Sequence, residues 1–436
     1  MRDLRRQALE SKKTVSRKAL SKEQARSLPQ SNLRTRSRNS GHNRLDEKNI
    51  HCSDGGLSLD PTDDDVISID SSATNSDKWK LDIGDRIEEI KDRKRSSAKG
   101  REKALLQYSR ILMNHFANEE IKDKTSDIFP AIMKSLRAES SEQEVFQALL
   151  AIALTTITAP SETIYANTEQ ELKRLYRISN FNLVKTTTIH TLSTVAIYGG
   201  ASDFEINEIM DEFIDIVESD GNSIDAPDSG AVVAAACEAW GYLATYLDEL
   251  EEKISNGIEA FAEQLYSSDT SVQIAAGENI ALLFESSYTD SRAEGEPLHE
   301  NEDEGSNVNQ SNSVARYEVY KKKDQLMHTL TELANESSKH IAKKDRKNLH
   351  ICFSDIINTI EHPTRGPRYQ NALDMETGKR YGSRMKLSIP EMGSLKIDRW
   401  WKSYRLKALK RMLGGGIFVH IRENEAVLDS VAPAIN

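Results

Sequence analysis

Four segments of this chain repeat one internal grammar, with large apolar residues at the ends and small ones in the middle, over a length that suits a single helix. They occupy residues 145–157, 183–198, 231–247 and 270–285. Their starts fall roughly 40 to 50 residues apart, the period of HEAT and armadillo arrays built from helix pairs. In the last copy, TSVQIAAGENIALLFE, Thr270 and Gln273 have capping-box spacing. Val272, Ala276, Ile280 and Leu283 recur at the helical period, and Gly277 lies among Ala275, Ala276 and Ala281. Glycine inside a helix costs roughly 1 kcal/mol against alanine, so Gly277 marks a close approach of another helix. Partner helices fall between the copies. Residues 203–218 carry Phe204, Ile206, Ile209 and Phe213 on one side, and residues 254–266 carry Ile258, Phe261 and Leu265. The fold class is all-α, an armadillo/HEAT-like array whose repeats bury their faces on each other. The concave face of such a stack is normally a binding surface.

Around the array the composition shifts. Residues 1–50 form a basic arm too poor in apolar surface to fold alone, expected to be disordered. Residues 51–78 are an acidic Ser/Asp-rich linker whose DDDVISIDSS reads first as a spacer and second as a phosphorylation or interaction motif. The array proper spans 79–287, starting with Trp79 and Leu81 and helices over 83–90 and 98–116. An acidic linker (288–313) interrupts it, and further helices follow over 314–337 and 345–360. A basic C-terminal domain begins at 362. Its first part, 362–395, holds Pro, Gly and scattered basic residues and predicts extended chain poor in regular structure. Residues 397–412 predict a helix with Asp398 as N-cap. Gly414 to Gly416 end that helix, and IFVHI (417–421) reads as a short strand or extended packing segment.

The 58 Lys and Arg against 69 Asp and Glu give a net charge of −11, but the distribution matters more than the sum. Residues 1–50 hold 14 basic against 5 acidic residues and residues 362–413 hold 13 against 4, so each stretch is +9 and the remainder is −29. Basic ends on an acidic body suit contact with nucleic acid, since phosphate contacts supply sequence-independent affinity. The competing reading is plain solvated charge. On the predicted C-terminal helix, Trp400, Trp401, Tyr404, Ala408 and Met412 share an arc, which assigns them to packing, although Trp400 and Trp401 are also the type of ring that stacks on bases. Arg399, Lys402 and Lys410 lie opposite and are the leading RNA-contact candidates, with Lys407 and Arg411 nearer the packed arc as weaker ones. In the basic arm Arg5, Arg6, Lys12 and Lys13 are the corresponding candidates.

Three stretches carry a family resemblance. DRWWKSYRLKALKRMLGGGIFVHIRENEAVLDSV (398–431) resembles the C-terminal domain of the interferon-related developmental regulator family, and SVQIAAGENIALLFE (271–285) resembles the repeat that closes its N-terminal domain. The opening MRDLRRQALESKKTVSRKA is similar to the family's fungal members. The resemblance implies an armadillo-like array without catalytic residues or cofactor. It also implies two roles: binding translationally inactive ribosomes through rRNA and ribosomal proteins, and acting in the nucleus as a transcriptional co-regulator with corepressor proteins.

Enzyme chemistry finds little support in the residues. There is no HExxH, GxxxxGK[ST] or GxSxG pattern, and Gly414 to Gly416 follow a helix where a phosphate-cradling loop would precede one. His190 and His420 sit in apolar segments with no second ligand nearby and read as structural histidines. Cys52, Cys237 and Cys352 are too few and too scattered for a disulfide framework or a zinc site, so a reducing compartment is expected. No apolar signal region or membrane span is evident. The expectation is a non-enzymatic ribosome-associated factor that regulates translation, cytoplasmic with access to the nucleus. The alternative is a nuclear transcriptional co-regulator working through protein contacts of the array.

Overall fold

The computed structural model describes residues 78–432 except 95, 249, 291–312, 316, 337–342, 376–377 and 379. The basic arm with Arg5, Arg6, Lys12 and Lys13, most of the first linker and most of the second therefore lie outside the described residues. Helices dominate: α1 (Lys78–Lys91), α2 (Ala98–Asn114), the short α3 (Asn118–Ile121), α4 (Thr125–Ala138), α5 (Glu142–Thr158), α6 (Ile164–Ile178), α7 (Asn182–Tyr198), α8 (Asp203–Glu218), α9 (Gly230–Ala244), α10 (Glu251–Gln264) and α11 (Thr270–Ser286). A small antiparallel pair, β1 (Tyr288–Asp290) with β2 (Ser313–Ala315), precedes α12 (Lys323–Ala334) and α13 (Lys343–Glu361).

These helices form two rows. The inner row is α2, α5, α7, α9, α11 and α13, each packed on the next, and each inner helix is backed by an outer one, in turn α1, α4, α6, α8, α10 and α12. The repeat architecture expected from the four apolar segments is present, extended at both ends. The central inner helices have almost no polar face to spare. Every residue of α5 from Glu144 to Thr158 is buried, as is every residue of α11 from Ala275 to Glu285. A helix buried on all sides must be covered on two faces, and only one of those is supplied by the outer row.

Small residues set the spacing within the inner row. A Cβ on Gly277 would stand 2.8 Å from Ile356 Cδ1 and 2.9 Å from Phe353 Cε1 of α13, the close approach that its place among alanines predicts. Several local expectations need correction. Helix α11 is capped by Asp269, whose Oδ1 accepts from Ser271 N–H at 2.7 Å, while Gln273 turns back to the Leu265 and Ser267 carbonyls, so there is no Thr270 capping box. A carboxylate one residue earlier outcompetes the hydroxyl for the free N–H groups. Phe204 is 73% exposed instead of sharing the buried side of α8, because it lies in the first turn, beyond the reach of the neighbouring outer helices. Val314 belongs to β2, and helix α12 starts only at Lys323.

Beyond α13 the basic region is ordered as two hairpins, β3 (Tyr369–Leu373) with β4 (Arg380–Ser383) and β5 (Lys386–Ile389) with β6 (Gly393–Lys396). It is extended as expected, yet it is paired. Helix α14 (Trp400–Leu413) follows, then a 3-10 turn at Gly414–Gly416, α15 (Ile417–Glu423) and α16 (Glu425–Val431). IFVHI is therefore helical, not a strand. Gly416 explains why: a Cβ there would collide with the Met113 carbonyl oxygen, so the chain turns hard against the end of α2 and buries Ile417 and Ile421 from a helix. Tertiary packing here overrides the β preference of branched residues.

Candidate nucleic-acid interface

The second face of the inner row is covered by the chain's own C-terminal segment. Helix α14 packs on α2, α5, α9 and α11, all of them inner helices. Its docking arc is the one that the helical projection predicts, since Trp400, Tyr404, Ala408 and Met412 are buried, and Leu406, Leu409 and Leu413 widen it. Trp401 is only half-buried, with the Arg405 guanidinium 4.9 Å and the Lys402 ammonium 5.4 Å from its ring centroid.

Polar contacts register this docking. The Glu285 carboxylate at the end of α11 accepts from Trp400 N–H at 2.9 Å and from Trp401 N–H at 3.3 Å, so a residue 115 positions upstream caps α14. Asp398, the expected cap, pairs with Lys402 at 2.8 Å. Burial pushes the Glu285 carboxyl up to about 7, against the downward pull of those N–H groups. Tyr404 Oη donates to Asn279 Oδ1 at 2.9 Å, and Asn279 Nδ2 donates to the Cys237 carbonyl at 2.8 Å. This chain of bonds crosses the seam through a gap that only glycine leaves, because a Cβ on Gly241 would collide with the Tyr404 ring.

The same segment satisfies carbonyls that inner helices leave free at their C-terminal ends. His420 Nε2 meets the Leu112 carbonyl of α2 at 2.8 Å, Asn424 Nδ2 donates to the Ile157 carbonyl of α5 at 2.9 Å, and Arg405 donates to the Thr245 carbonyl just after α9. Arg405 also lies 3.8 Å from the Tyr246 ring centroid and donates to the Ser430 carbonyl at 3.2 Å. Nothing in the local pattern distinguishes Arg405 from its basic neighbours; only its distant partners do. His420 is buried, and burial lowers its imidazole below the ordinary range, as suits a structural histidine. His190, near the Glu238 carboxylate at 3.6 Å, has its imidazole held well below the ordinary range by burial and by Arg411.

The sequence-predicted contact residues now separate. Lys407 Nζ lies 2.5 Å from a Glu278 carboxylate oxygen, and Arg411 Nη2 lies 2.6 Å from Glu238. Both charges are directed at the array. Arg399 donates to the Thr364 carbonyl at 3.1 Å and Lys402 is tied to Asp398. Lys410 is half-buried and has no ionic partner among the described residues. The cations that face solvent most openly sit elsewhere. Arg380, Arg384, Lys386 and Lys396 are exposed on the two hairpins and form no ion pair among the described residues, although Lys396 lies near enough to Asp398 to help lower its carboxyl. Exposed apolar side chains accompany them, among them Leu373, Met375 and Tyr381.

Among the described residues no group of three or more His, Cys, Asp and Glu is placed to hold a metal ion, and no helix is long and apolar enough to cross a membrane.

Comparison with known proteins adds an identity to this geometry. The sequence model of the interferon-related developmental regulator (IFRD) family matches residues 52–361, most of the chain. An uncharacterised protein of Schizosaccharomyces pombe is 28% identical over 341 residues, covering 78% of this chain and 71% of that protein. Interferon-related developmental regulator 1 of Sus scrofa is 24% identical, covering 76% of this chain and 66% of the relative, and the Homo sapiens protein is 23% identical over the same shares. The chain thus spans about two thirds of the length of these mammalian relatives.

Proposed function

This chain belongs to the interferon-related developmental regulator family, and on that premise we propose that it is a non-enzymatic, ribosome-associated regulator of translation that meets rRNA and ribosomal proteins through its C-terminal region. The observation that carries this reading is the sorting of charge. An acidic array neutralises the cations of α14 that face it, while the hairpin cations are left outward, joined by Lys410. Uncompensated positive charge on a body that is otherwise strongly negative has one abundant complement, the phosphate backbone. The filled inner face supports the same reading, because it removes the surface on which a helical array ordinarily takes protein partners. The proposal extends to action in the cytoplasm on ribosomes that are not translating.

A sucrose gradient of the tagged protein, run with and without nuclease and at two salt concentrations, tests this. Sedimentation with ribosomal particles that is lost as salt rises is the expected result. A protein that stays at the top of the gradient, yet retains nuclear protein partners in nuclease-treated extract, would instead be the transcriptional co-regulator acting with corepressors.

A further inference from the structure

Most of the C-terminal basic region is used by the fold itself, but one cluster on the hairpins is built and left unused. Strands β3 and β4 pair with a register shift between Gln370 and Leu373, and Gly382 takes a left-handed conformation (φ 61°) in β4. Glycine relieves the Cβ clash of that conformation, and the irregularity turns the strand so that its residues leave a simple alternation. The base of the hairpin is then locked. The Ser383 hydroxyl lies 3.1 Å from the Pro367 carbonyl and 2.9 Å from the Ile397 carbonyl, Arg384 N–H donates to the Arg368 carbonyl at 3.1 Å, and Ile397 N–H donates to the Met385 carbonyl at 2.9 Å. These bonds hold β4 against the end of β6.

The Arg384 guanidinium and the Tyr381 ring meet beside that kink, and the Lys396 ammonium lies next to Gly382. The Arg384 guanidinium stacks 4.4 Å from the Tyr381 ring centroid, and Tyr381 remains 43% exposed. The Lys396 ammonium lies 4.0 Å from the place a Cβ on Gly382 would take, between Tyr381 and Ser383. Arg380 and Lys386 flank the group and are also exposed. An aromatic ring left 43% exposed, with one cation stacked on it and further cations beside it in the chain, forfeits part of its burial and gains within the fold only a cation–π contact of roughly 0.5–1 kcal/mol.

We propose that this cluster is a platform for single-stranded RNA, with one unpaired base stacking on Tyr381 and the flanking phosphates meeting Arg384 and Lys396. The assignment rests on the ribosome-binding reading and sharpens it to a chemical class. Charge selects a polyanion. The ring selects an unpaired base, because a duplex keeps its bases stacked internally and offers this surface only phosphates and sugars.

The test uses the full chain and fluorescence anisotropy with three probes: an oligouridine of about twelve nucleotides, within the size range of single-strand sites, an RNA duplex of the same length, and polyglutamate. The oligouridine should bind best. Tyr381→Ala should weaken it roughly 5- to 150-fold, the range of one base–aromatic stack, while Tyr381→Phe stays within about twofold because the ring is kept. Lys396→Ala should make the salt dependence shallower by roughly 0.7 for each phosphate it no longer neutralises. Melting curves of each variant should match the parent, which distinguishes weakened RNA binding from unfolding. Equal binding of duplex or polyglutamate, or unchanged affinity in Tyr381→Ala, overturns the proposal. If the parent protein sediments with ribosomes but prefers none of the probes, this inference fails and ribosome association stands; if it does neither, both fail.

Discussion

In α14 the cations Arg405, Lys407 and Arg411 reach into the array and end on a carbonyl or a carboxylate, whereas a few residues earlier Arg380, Arg384, Lys386 and Lys396 stand in solvent. Both stretches are basic and both belong to the C-terminal region, so composition treats them alike. What separates them is the surface opposite. Helix α14 lies over inner helices that carry Glu238, Glu278 and Glu285, and the hairpin cations meet no such acids among the described residues. A basic helix on an acidic array is therefore first a structural element. Cations that remain after the body's acids are matched are the ones available to a partner.

That contrast predicts unequal costs on the two sides. Removing Trp400, buried and donating through Nε1 to Thr359 Oγ1 at 2.8 Å, should cost about 3–5 kcal/mol and expose the C-terminal segment to limited proteolysis. Any single hairpin substitution, such as Lys386→Ala, should stay within about 0.5 kcal/mol of the parent. If Trp400→Ala digests no faster than the parent, α14 does not anchor the segment.

Next in size is the pH dependence of the seam. Glu285 is raised to about 7 in the folded protein by burial, above its value in the unfolded chain, so its contribution is fully present at low pH and is lost as pH rises through 7. A shift of this size corresponds to about 3 kcal/mol at 1.36 kcal/mol per unit. Chemical denaturation of the parent and of Glu285→Gln at pH 5 and pH 8 reads it. The parent's stability relative to the variant should fall between those two values, and a gap independent of pH would remove Glu285 from this role. The neutral amide introduced by Glu285→Gln can still accept one N–H, which keeps the variant folded for the comparison.

A smaller effect tests the fit of the helix. Gly241→Ala places a methyl where Tyr404 and Asn279 meet, and overpacking at such a site costs about 1–3 kcal/mol. Thermal melting gives the answer directly. An unshifted transition would mean that the Tyr404 ring gives way without cost and that the seam is looser than its bonds imply.

How much of this is legible in the sequence follows the range of the interactions. Local periodicity carries the inner helices, the Gly277 contact and the arc of Trp400, Tyr404, Ala408 and Met412, because each depends on residues within a few turns of one helix. Helices α4 and α6 lie outside the small-residue grammar of the inner row, although each carries a clear apolar stripe, Ile128, Ile132 and Leu136 in one and Ile164, Leu172 and Leu175 in the other. The Glu285 cap and the Lys407–Glu278 and Arg411–Glu238 pairs join residues more than a hundred positions apart, and no spacing rule reaches them. The hairpins read only as extended because their strands are short and rich in polar residues. The helical state of IFVHI escapes a local reading because Gly416 and the end of α2, not its own residues, decide its conformation.

The division between structural and outward cations is tested most directly by reversing charge on each side in turn. One variant carries Lys407→Glu and Arg411→Glu; the other carries Arg380→Glu, Arg384→Glu, Lys386→Glu and Lys396→Glu. Each is melted and each is run on a ribosome sedimentation gradient. The helix variant, which sets like charges against Glu278 and Glu238, should lose about 3–5 kcal/mol of stability, while the hairpin variant should melt like the parent and leave the ribosomal fractions. A hairpin variant that still sediments with ribosomes at unchanged salt sensitivity, beside a helix variant that melts normally, would contradict the account.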